Sequence, residues 1–545
     1  NSDHGWWYYF PVAFVLKTPL PTLLLLVAAS LLVCKSARGQ VGRAVQFSHK
    51  TLKPPSRGRP MQRHDISGKG FRPQNAPGTG AESTGKLELN SPEQVGKWAS
   101  LQSFVRRWGP LLLYPILYAA SSLFSSVNIG YRHLLPTLPF LFIFISRIAN
   151  GEWRMANRIS RFAFYVLRFT FYVLLVWHLV GTLRIFPNYL AYFNLLAGGP
   201  AEGYRYLVDS NLDWGQNMWQ LRDWMQENNV ERVYYAHFSP DRPQVYGIET
   251  DFLPPDPRAV DADKQHPFAP FNPAPGVYAI GATVLQGVYT PDVNTYAWFR
   301  SHEPLVRLGH ALFVYDVPPR PSPTWVAVCA APAPVLSPEV VRTRFGSPDL
   351  RVILLDCGQS WVYPSGGEPG GYVLPPDAEP PLGATLEAAA RHPDGKPFYD
   401  LYRLGGERPT PKHPAEGGTL DGPLDFLGYQ VEVTDVHPGD TVELWTFWKV
   451  RELPERLFSL MAHLLGPDGT PIAVGDGLGV PVHQWQSGDV IIQRHRLRVP
   501  EGTVAGEYPL QTGGYWLDTM ERWPVHLDDG TVSDHIFLST ISVLN

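Results

Sequence analysis

Four apolar runs near the start of the chain are the feature that most constrains its fold. They are almost free of charge, and they cover residues 10–34, 109–127, 134–145 and 162–183. A helix needs about 20 apolar residues to cross the hydrocarbon core of a bilayer. The runs therefore predict a multi-pass α-helical membrane bundle. Buried helices of a soluble protein are the alternative, which the basic loops and aromatic ends of the runs disfavour.

Charge is distributed unequally along the chain. Residues 1–184 hold 22 of the 46 Lys and Arg but 6 of the 50 Asp and Glu, whereas residues 185–545 hold 24 basic and 44 acidic residues. Loops rich in Lys and Arg stay on the cytoplasmic side of a membrane. We therefore expect a multi-pass protein of the cell membrane whose C-terminal region is extracytoplasmic. The basic residues lie between apolar segments and not on a globular domain, so no nucleic-acid partner is expected.

Changes in composition divide the chain into seven predicted regions. They are an interfacial helix and transmembrane segment (1–34), a disordered basic cytoplasmic loop (35–108), three transmembrane helices (109–195), an extracytoplasmic α/β domain (196–318), a second α/β lobe (319–404), a linker (405–419) and an immunoglobulin-like β-sandwich (420–545). The loop has no apolar periodicity from which to build a core. Short strand-like runs separated by Gly/Pro turns predict the sandwich. The chain begins at Asn1, and we expect it to be a piece of a longer protein.

The three cysteines are too few for a disulfide scaffold. Cys329 and Cys357 each end a strand-like run, whereas Cys34 ends an apolar run. Disulfides persist in oxidising compartments. Pairing of Cys329 with Cys357 therefore depends on the location of this region, and the sequence leaves it open.

The segment DSNLDWG at 209–215 resembles the start of a calcium-binding loop. An EF-hand needs Gly at position 6 and Glu at position 12, where this chain has Trp214 and Gln220. A turn followed by a helix over 217–227, with Asp213 as its N-cap, is therefore the favoured interpretation. No metal site is predicted, and a divalent cofactor is neither required nor excluded.

Several other polar and aromatic residues are expected to be structural. The histidines His237, His310 and His463 have no partner at metal-ligand spacing. The tryptophans Trp445, Trp448 and Trp485 are placed in the sandwich core in preference to a sugar-binding platform, because aromatics at alternate strand positions usually pack inward.

Three basic residues lie where the chain is expected to meet the outer membrane surface: Lys17, Arg132 and His133. Cations at that level are suited to a lipid phosphate, which Arg binds through two parallel hydrogen bonds. The alternative is interfacial anchoring by snorkelling, which needs no ligand. The residue types alone do not separate the two.

Several motifs resemble bacterial family-39-type glycosyltransferases, which are similar to protein O-mannosyltransferases and aminoarabinose transferases. The motifs are GWWYYFPV (5–12), KTPLP (17–21), NIGYRHLLP (128–136), YLAYFN (189–194), AGGP (197–200), DSNLDWGQ (209–216), PGVYAI (275–280) and LFVYD (312–316). The resemblance spans roughly residues 4–34 and 109–318.

The resemblance implies an enzyme with the GT-C fold that transfers a sugar from a polyprenyl-phosphate donor to an extracytoplasmic acceptor. The catalytic acid of that family lies in a loop expected upstream of this sequence, so no catalytic residue is assigned and the fragment alone is expected to be inactive. Lipid-phosphate contact is carried over to Arg132, His133 and Lys17. The expected partners are the donor, membrane lipids and an unknown acceptor. The alternatives are a non-enzymatic, membrane-anchored protein that binds a surface glycan or partner, and a component of polysaccharide export.

Overall fold

A computed structural model describes residues 6–31, 92–125, 130–150, 158–239, 242–254, 266–405, 408–416 and 418–545. The chain divides into two compact units, Ser2–Gly203 and Tyr204–Asn545. Helices and strands are numbered separately in chain order.

The first unit is helical. Its helices are α1 (Tyr9–Lys17), α2 (Leu20–Leu31), α3 (Pro92–Ser122), α4 (Leu138–Asn150) and α5 (Arg158–Arg184), with 3₁₀ turns at Tyr131–Thr137, Tyr189–Ala191 and Leu195–Ala197. Leu25 and Ala29 of α2 pack in one apolar cluster with Phe144 and Ile145 of α4. The apolar faces of these helices are therefore buried against each other at only a few positions.

The predicted multi-pass bundle is wrong. Among the described residues, Tyr165–Arg184 of α5 is the one helical stretch long and apolar enough to cross a membrane, and the bent pair α1–α2 passes the same test only if it is one broken span. The run at 134–145 fails because its first part forms the turn Tyr131–Thr137, which leaves α4 with 13 residues. At 1.5 Å per residue α4 reaches about 20 Å, short of a bilayer core of about 30 Å. The finding is compatible with membrane anchoring.

Residues 35–91 of the predicted disordered loop at 35–108 lie outside the described residues. Its last part is not a loop, because α3 begins at Pro92. The apolar run at 109–127 is therefore the second half of a longer helix, which carries Pro110 and Pro115 in its interior.

The second unit begins with a mixed five-stranded sheet of order β2-β1-β3-β5-β4. Its elements are α6 (Met218–Glu227), β1 (Arg232–Ala236), β2 (Glu249–Phe252), β3 (Gly276–Gly281), α7 (Ala282–Leu285), α8 (Ala297–Arg300), β4 (Val306–Leu308) and β5 (Leu312–Val317). Strand β1 runs parallel to β2 and β3, whereas β5 runs antiparallel to β3 and β4. Met218, Leu221 and Met225 follow helical spacing, and they bury one face of α6 against Val233 and Tyr235 of β1.

A second five-stranded sheet follows, of order β10-β11-β9-β6-β7. Its elements are β6 (Trp325–Cys329), α9 (Pro338–Phe345), β7 (Arg351–Leu355), β9 (Gly370–Leu374), β10 (Ala384–Arg391) and β11 (Pro397–Leu404), and β8 (Ser360–Tyr363) leaves it for the next sheet. Strand β6 runs parallel to both of its neighbours. Cys329 and Cys357, at the ends of β6 and β7, form a disulfide bond.

Two more sheets form a β-sandwich at the C-terminal end. Their strands, in the order in which they pair, are β12 (His413–Pro414), β14 (Leu424–Val431), β16 (Thr441–Val450), β19 (Val490–Arg498) and β8 in one sheet, and β15 (Asp435–Val436), β23 (Ile536–Val543), β20 (Gly506–Trp516), β17 (Phe458–Leu465) and β18 (Pro471–Val474) in the other. A small sheet joins β13 (Thr419–Leu420), β21 (Val525–His526) and β22 (Val532–Ser533). The structure therefore agrees with the predicted β-sandwich. The described part of the chain as a whole is mostly β-structure, which differs from the predicted membrane helix bundle.

A chain of hydrogen bonds crosses the interior of the sandwich. Trp448 donates its indole N–H to Thr446 Oγ1 (2.8 Å), Thr446 bonds to His495 Nε2 (2.8 Å), and His495 Nδ1 bonds to the carbonyl of Gly475 (2.7 Å). A carbonyl only accepts, so Nδ1 carries the ring proton and Nε2 accepts from the Thr446 hydroxyl. In this tautomer His495 is neutral, and a second proton on Nε2 would require the Thr446 hydroxyl to turn its own proton away from the ring.

This geometry predicts acid sensitivity. Burial lowers the pKa of His495 from 6.5 to about 4, and Asp476 and His463 are the titratable groups beside it. Between these two pH values the unfolded chain binds a proton at His495 that the folded chain does not, so the free energy of unfolding falls by up to about 3 kcal/mol as pH drops. Thermal unfolding at about pH 7 and about pH 4.5 should show a smaller acid-induced loss for His495→Gln than for wild type.

The matched control is His437→Gln, whose side chain is 60% exposed. It should lose as much stability in acid as the wild type. Equal acid sensitivity in His495→Gln and the wild type would mean that burial of His495 is not the cause.

The disulfide gives a second prediction. It joins residues separated by 28 positions, and removing a disulfide that closes a loop of this length lowers the free energy of unfolding by about 2–4 kcal/mol. Cys329→Ser with Cys357→Ser should lower the denaturant midpoint, whereas Cys34→Ser should not. Unfolded, unreduced protein should react with maleimide at Cys34 alone, and reaction at all three cysteines would contradict the bond.

Candidate functional site

The segment that follows α5 holds the end of α1. Asn194 donates its side-chain N–H groups to the carbonyl oxygens of Val15 (2.6 Å) and Thr18 (2.8 Å), and its backbone N–H to that of Leu16 (2.9 Å). The last carbonyls of a helix lack partners within the helix, so Asn194 supplies them. The YLAYFN motif therefore has a structural role in positioning the end of α1.

Lys17 lies at that end and is 7% exposed. Its Nζ donates to the carbonyl of Leu190 (2.8 Å) and lies 4.8 Å from the centroid of the Phe193 ring. A carbonyl dipole and an aromatic face both favour a cation. The same segment that holds α1 therefore also holds the Lys17 ammonium in place.

The turn Tyr131–Thr137 brings the other two predicted residues to α1. The Tyr131 hydroxyl bonds to Thr18 Oγ1 (3.0 Å), and the His133 ring packs edge-on against Phe10 (6.3 Å between centroids). Phe10 lies about two helical turns before Lys17. The turn therefore runs alongside α1, with Lys17 near one end of the contact and His133 near the other. We refer to Lys17, Arg132 and His133 as the basic strip.

The members of the basic strip differ in exposure. Arg132 is exposed, Lys17 is buried and His133 is half-buried. The Nε2 atom of His133 is buried, and in the described part of the chain no hydrogen-bond partner reaches it. Such an atom is costly to bury unless something else binds it. The basic strip therefore combines an accessible guanidinium with a buried polar atom that lacks a protein partner.

A second polar cluster lies beside the first sheet of the other unit. His237, which directly follows β1, bonds through Nε2 to Asp213 Oδ2, and both side chains are 1% exposed. Asp213 Oδ1 accepts the Gly215 N–H (2.9 Å), and His237 Nδ1 accepts the Ser239 N–H (3.1 Å). Nδ1 is therefore unprotonated, and Nε2 carries the proton that it donates to the carboxylate. Both nitrogens are engaged, so this pair positions the loop and is not arranged as a general base.

Sequence reasoning missed this pair. Asp213 was predicted to cap the helix over 217–227, but the N-cap of α6 is Asn217 and it makes no side-chain cap bond. The Asp213 carboxylate turns to His237 because burial leaves no water to solvate it. A histidine at the end of a strand, following a loop with two aspartates, is the available signal, and it does not specify which aspartate is bound.

Asp209 and Tyr289 form a strained pair next to it. Both have positive φ, 59° and 62°, and for a residue as bulky as Tyr this is a costly conformation. The Tyr289 hydroxyl donates to Asp209 Oδ2 (3.0 Å), and the Phe238 ring stacks on Tyr289 with centroids 5.8 Å apart. Trp214, 48% exposed, lies 5.9 Å from Phe238. A carboxylate beside a ledge of aromatic rings is therefore held in place by the fold.

The remaining predicted residues agree with a structural role. Trp448 and Trp485 are 0% and 3% exposed and belong to the main core cluster. Trp445 is half-buried, with the Arg494 guanidinium 5.0 Å above its ring. Within the described ranges, no group of three His, Cys, Asp or Glu residues could hold a metal ion.

No family model and no curated protein matches the chain. Among solved structures, it is similar to a family 123 glycoside hydrolase from Clostridium perfringens that hydrolyses glycolipid glycans, with 10% identity over 23% of this chain and 28% of that one and a TM-score of 0.14. It is also similar to BcpA, the major pilin subunit of Bacillus cereus, with 10% identity, coverage of 32% and 69%, and a TM-score of 0.14.

These similarities carry no argument about fold or function, because both TM-scores are low. The chain spans 28% of the length of the glycoside hydrolase. None of these findings identifies a glycosyltransferase or a GT-C protein. The prediction of a multi-span membrane protein is wrong, because among the described residues one helical stretch, or two if the bent pair α1–α2 is one span, is long and apolar enough to cross a membrane. The family resemblance of the motifs stays a prediction.

The Asp213–His237 pair predicts a loss of stability on substitution. Asp213→Asn replaces one carboxylate oxygen with an amide N–H group, so either His237 Nε2–H or the Gly215 N–H loses its acceptor. The cost should be about 1–3 kcal/mol. Thermal unfolding should show it, whereas Asp223→Asn, 44% exposed on its side chain, should change stability by less than about 0.5 kcal/mol. Equal midpoints for the two variants would contradict the assigned role of the pair.

Proposed function

We propose that this chain is part of a membrane-anchored enzyme that transfers a sugar from a polyprenyl-phosphate donor to an acceptor outside the cytoplasm. The catalytic carboxylate is expected in sequence that this chain does not contain. The chain itself contributes the contact with the lipid phosphate, through the basic strip formed by Lys17, Arg132 and His133.

The observation that carries the proposal is the buried, unpartnered Nε2 of His133 beside an exposed arginine. Both lie on the turn that packs along α1, the first half of the broken candidate span α1–α2. A phosphate group offers acceptor oxygens to Arg132 and a partner to His133 Nε2 at once. Anchoring by snorkelling gives no reason for a buried ring nitrogen, so it accounts for Arg132 but not for His133.

The chemistry of the transfer fits this division of roles. The acceptor hydroxyl attacks the anomeric carbon and gives its proton to the upstream carboxylate. The bond between the anomeric carbon and the phosphate oxygen breaks, and its electron pair leaves with the lipid phosphate. Negative charge therefore grows on the phosphate, and cations fixed beside it stabilise the transition state more than the ground state.

Two further features support the location. The Cys329–Cys357 disulfide is of a kind that persists in oxidising compartments. Residues 185–545 carry an acidic excess, whereas basic residues accumulate before Arg184. An extracytoplasmic position for the second unit is consistent with both.

A second candidate function is binding of a surface glycan without catalysis. The aromatic ledge of Trp214, Phe238 and Tyr289 beside the Asp209 carboxylate favours it. Sugar rings present C–H faces that pack on aromatic side chains, and their hydroxyls bond to carboxylates. Binding without transfer would leave the basic strip as an anchor only.

Loss of the Arg132 charge should reduce transfer. Membranes that contain the full-length protein would be incubated with radiolabelled polyprenyl-phosphate sugars, and label released from the lipid would be counted. Arg132→Gln should lower the release rate about 10–100-fold, since one charged contact to the transition state is lost, and Arg132→Lys should recover part of it. His133→Gln should also lower it.

Arg106→Gln is the matched control, because Arg106 is exposed and lies 16 residues before the end of α3, about 24 Å along the helix axis from that end. It should transfer like the wild type. Transfer by Arg132→Gln at the wild-type rate, with equal protein in the membrane, would remove the basic strip from the reaction. Absence of release from any donor would favour the glycan-binding alternative.

A further inference from the structure

The second unit contains a cleft of about 570 Å³. One wall is formed by α8 and the residues that follow it, and the opposite wall by the β10–β11 edge of the second sheet. Small-molecule sites typically occupy about 300–1,000 Å³. The charged side chains that line the cleft are four arginines and two acids: Arg205, Arg300, Arg307, Arg391, Glu303 and Asp400. The excess of positive charge is the feature that needs an explanation.

Arg300 is one of the arginines that line the cleft. Its guanidinium donates to the carbonyl oxygens of Leu285 (2.9 Å) and Val293 (2.9 Å) and to Asn294 Oδ1 (3.1 Å). All three acceptors are neutral. Burial, and then the nearby Arg391, lowers the pKa of Arg300 to about 10, which still leaves it charged at neutral pH. Its charge is therefore fixed in place but not cancelled.

Arg391, on β10, behaves in the same way. It donates to the backbone carbonyl and to the side-chain oxygen of Gln286 (2.7 and 2.8 Å), and burial lowers its pKa. In the described part of the chain neither Arg300 nor Arg391 forms an ion pair with a carboxylate. Two arginines held by neutral acceptors produce a positive potential that extends into the cleft.

The other two arginines stand nearer to solvent. Arg307 lies over the rings of Tyr204 (5.7 Å) and Phe313 (5.5 Å), and its ion-pair partner Glu303 is 3.6 Å away and 92% exposed. Arg205 is exposed and lies 5.7 Å from the Tyr204 ring centroid. An ion pair with so exposed a carboxylate is weak, so this contact with Glu303 is not an obstacle to a ligand.

The acids around the cleft do not neutralise it. Glu303 and Asp400 are two acids against four arginines in the lining, and burial raises the pKa of Asp400. Asp292, which lies near Arg300, is paired with Arg344. His302 bonds to the Trp298 carbonyl (2.7 Å) and stacks on the Trp298 ring. Among the described residues, the groups around Arg300 and Arg391 therefore leave an excess of positive charge.

We propose that this cleft binds a small anionic saccharide, a sugar acid or a sugar phosphate, with its charged group toward Arg300 and Arg391 and in contact with Arg307. Carboxylate and phosphate groups each present oxygen atoms that can accept two parallel hydrogen bonds from one arginine guanidinium. The volume accommodates a sugar as well as its charged group. The proposal does not rest on the proposed function, because the basic strip belongs to the other unit.

The test is calorimetric titration of the full chain in detergent with galacturonate, glucose 1-phosphate, inorganic phosphate and the neutral sugar glucose. We expect galacturonate or glucose 1-phosphate to bind at least about tenfold more tightly than glucose and to weaken as salt is raised. The tighter of the two identifies the charged group. Binding of inorganic phosphate as tight as that of the sugar phosphate would overturn the saccharide part of the proposal.

Two substitutions of Arg307 and one control link binding to the cleft. Arg307→Gln should weaken binding of the anion about tenfold, and Arg307→Lys should restore part of the affinity. Arg232→Gln is the control and should have no effect, since Arg232 is 59% exposed and pairs with Glu249 and Asp251. Unchanged affinity in Arg307→Gln, or equal affinity for glucose and the anions, would overturn the site. Failure of every probe to bind the wild type would overturn it as well.

Discussion

The ion pair between Arg351 and Asp489 connects the second sheet to the sandwich, and the arrangement of the second unit depends on it. Asp489 is completely buried and accepts bonds from Arg351 Nη1 (3.0 Å) and Nη2 (2.5 Å) and from the backbone of Ser365 (3.2 Å) and Gln486 (2.9 Å). A buried carboxylate is tolerated only when its oxygens are satisfied in this way. Strand β8 then pairs with β19 beside it, so one apolar core extends from β6 to β21.

This connection explains why the cleft exists at all. The second sheet is held from one side by the sandwich, and at its far edge Arg391 on β10 bonds to Gln286 of the first sheet's domain. Glu387, also on β10, accepts bonds from Trp298 and Arg320. The edge is thereby fixed at a short distance from α8, and the charged cleft is the space that remains between them.

The first unit presents a different problem, because its polar groups meet apolar surroundings. Asn194 donates to the carbonyls of Val15 and Thr18 at the end of α1, and Lys17 donates to the carbonyl of Leu190 in the segment that follows α5. In the described part of this unit, His133 Nε2 is buried without a hydrogen-bond partner. A buried polar atom without a partner is costly, so His133 Nε2 is a stronger argument for a ligand than the exposed charge of Arg132 is. The basic strip and the cleft therefore differ in kind. The strip has a buried atom without a hydrogen-bond partner, and the cleft has two arginines, Arg300 and Arg391, that are held by neutral acceptors.

The sequence by itself determined the local elements with strong periodicity. It predicted α6 from the spacing of Met218, Leu221 and Met225, the strand starting at Arg232, and the sandwich strands around Trp448, because side-chain alternation is set within a few residues. It did not determine how many apolar runs become membrane-length helices: the run at 134–145 is broken by a 3₁₀ turn that packs on α1.

Only the tertiary structure decided the sites. The Asp213–His237 bond, the Asp209–Tyr289 pair and the approach of Arg391 to Arg300 join residues that are 24, 80 and 91 positions apart. Spacing in the sequence carries no information about such contacts, since they form only when separate elements pack. The sequence therefore supplied the charged and aromatic residues, and the packing of sheets and helices chose which of them meet.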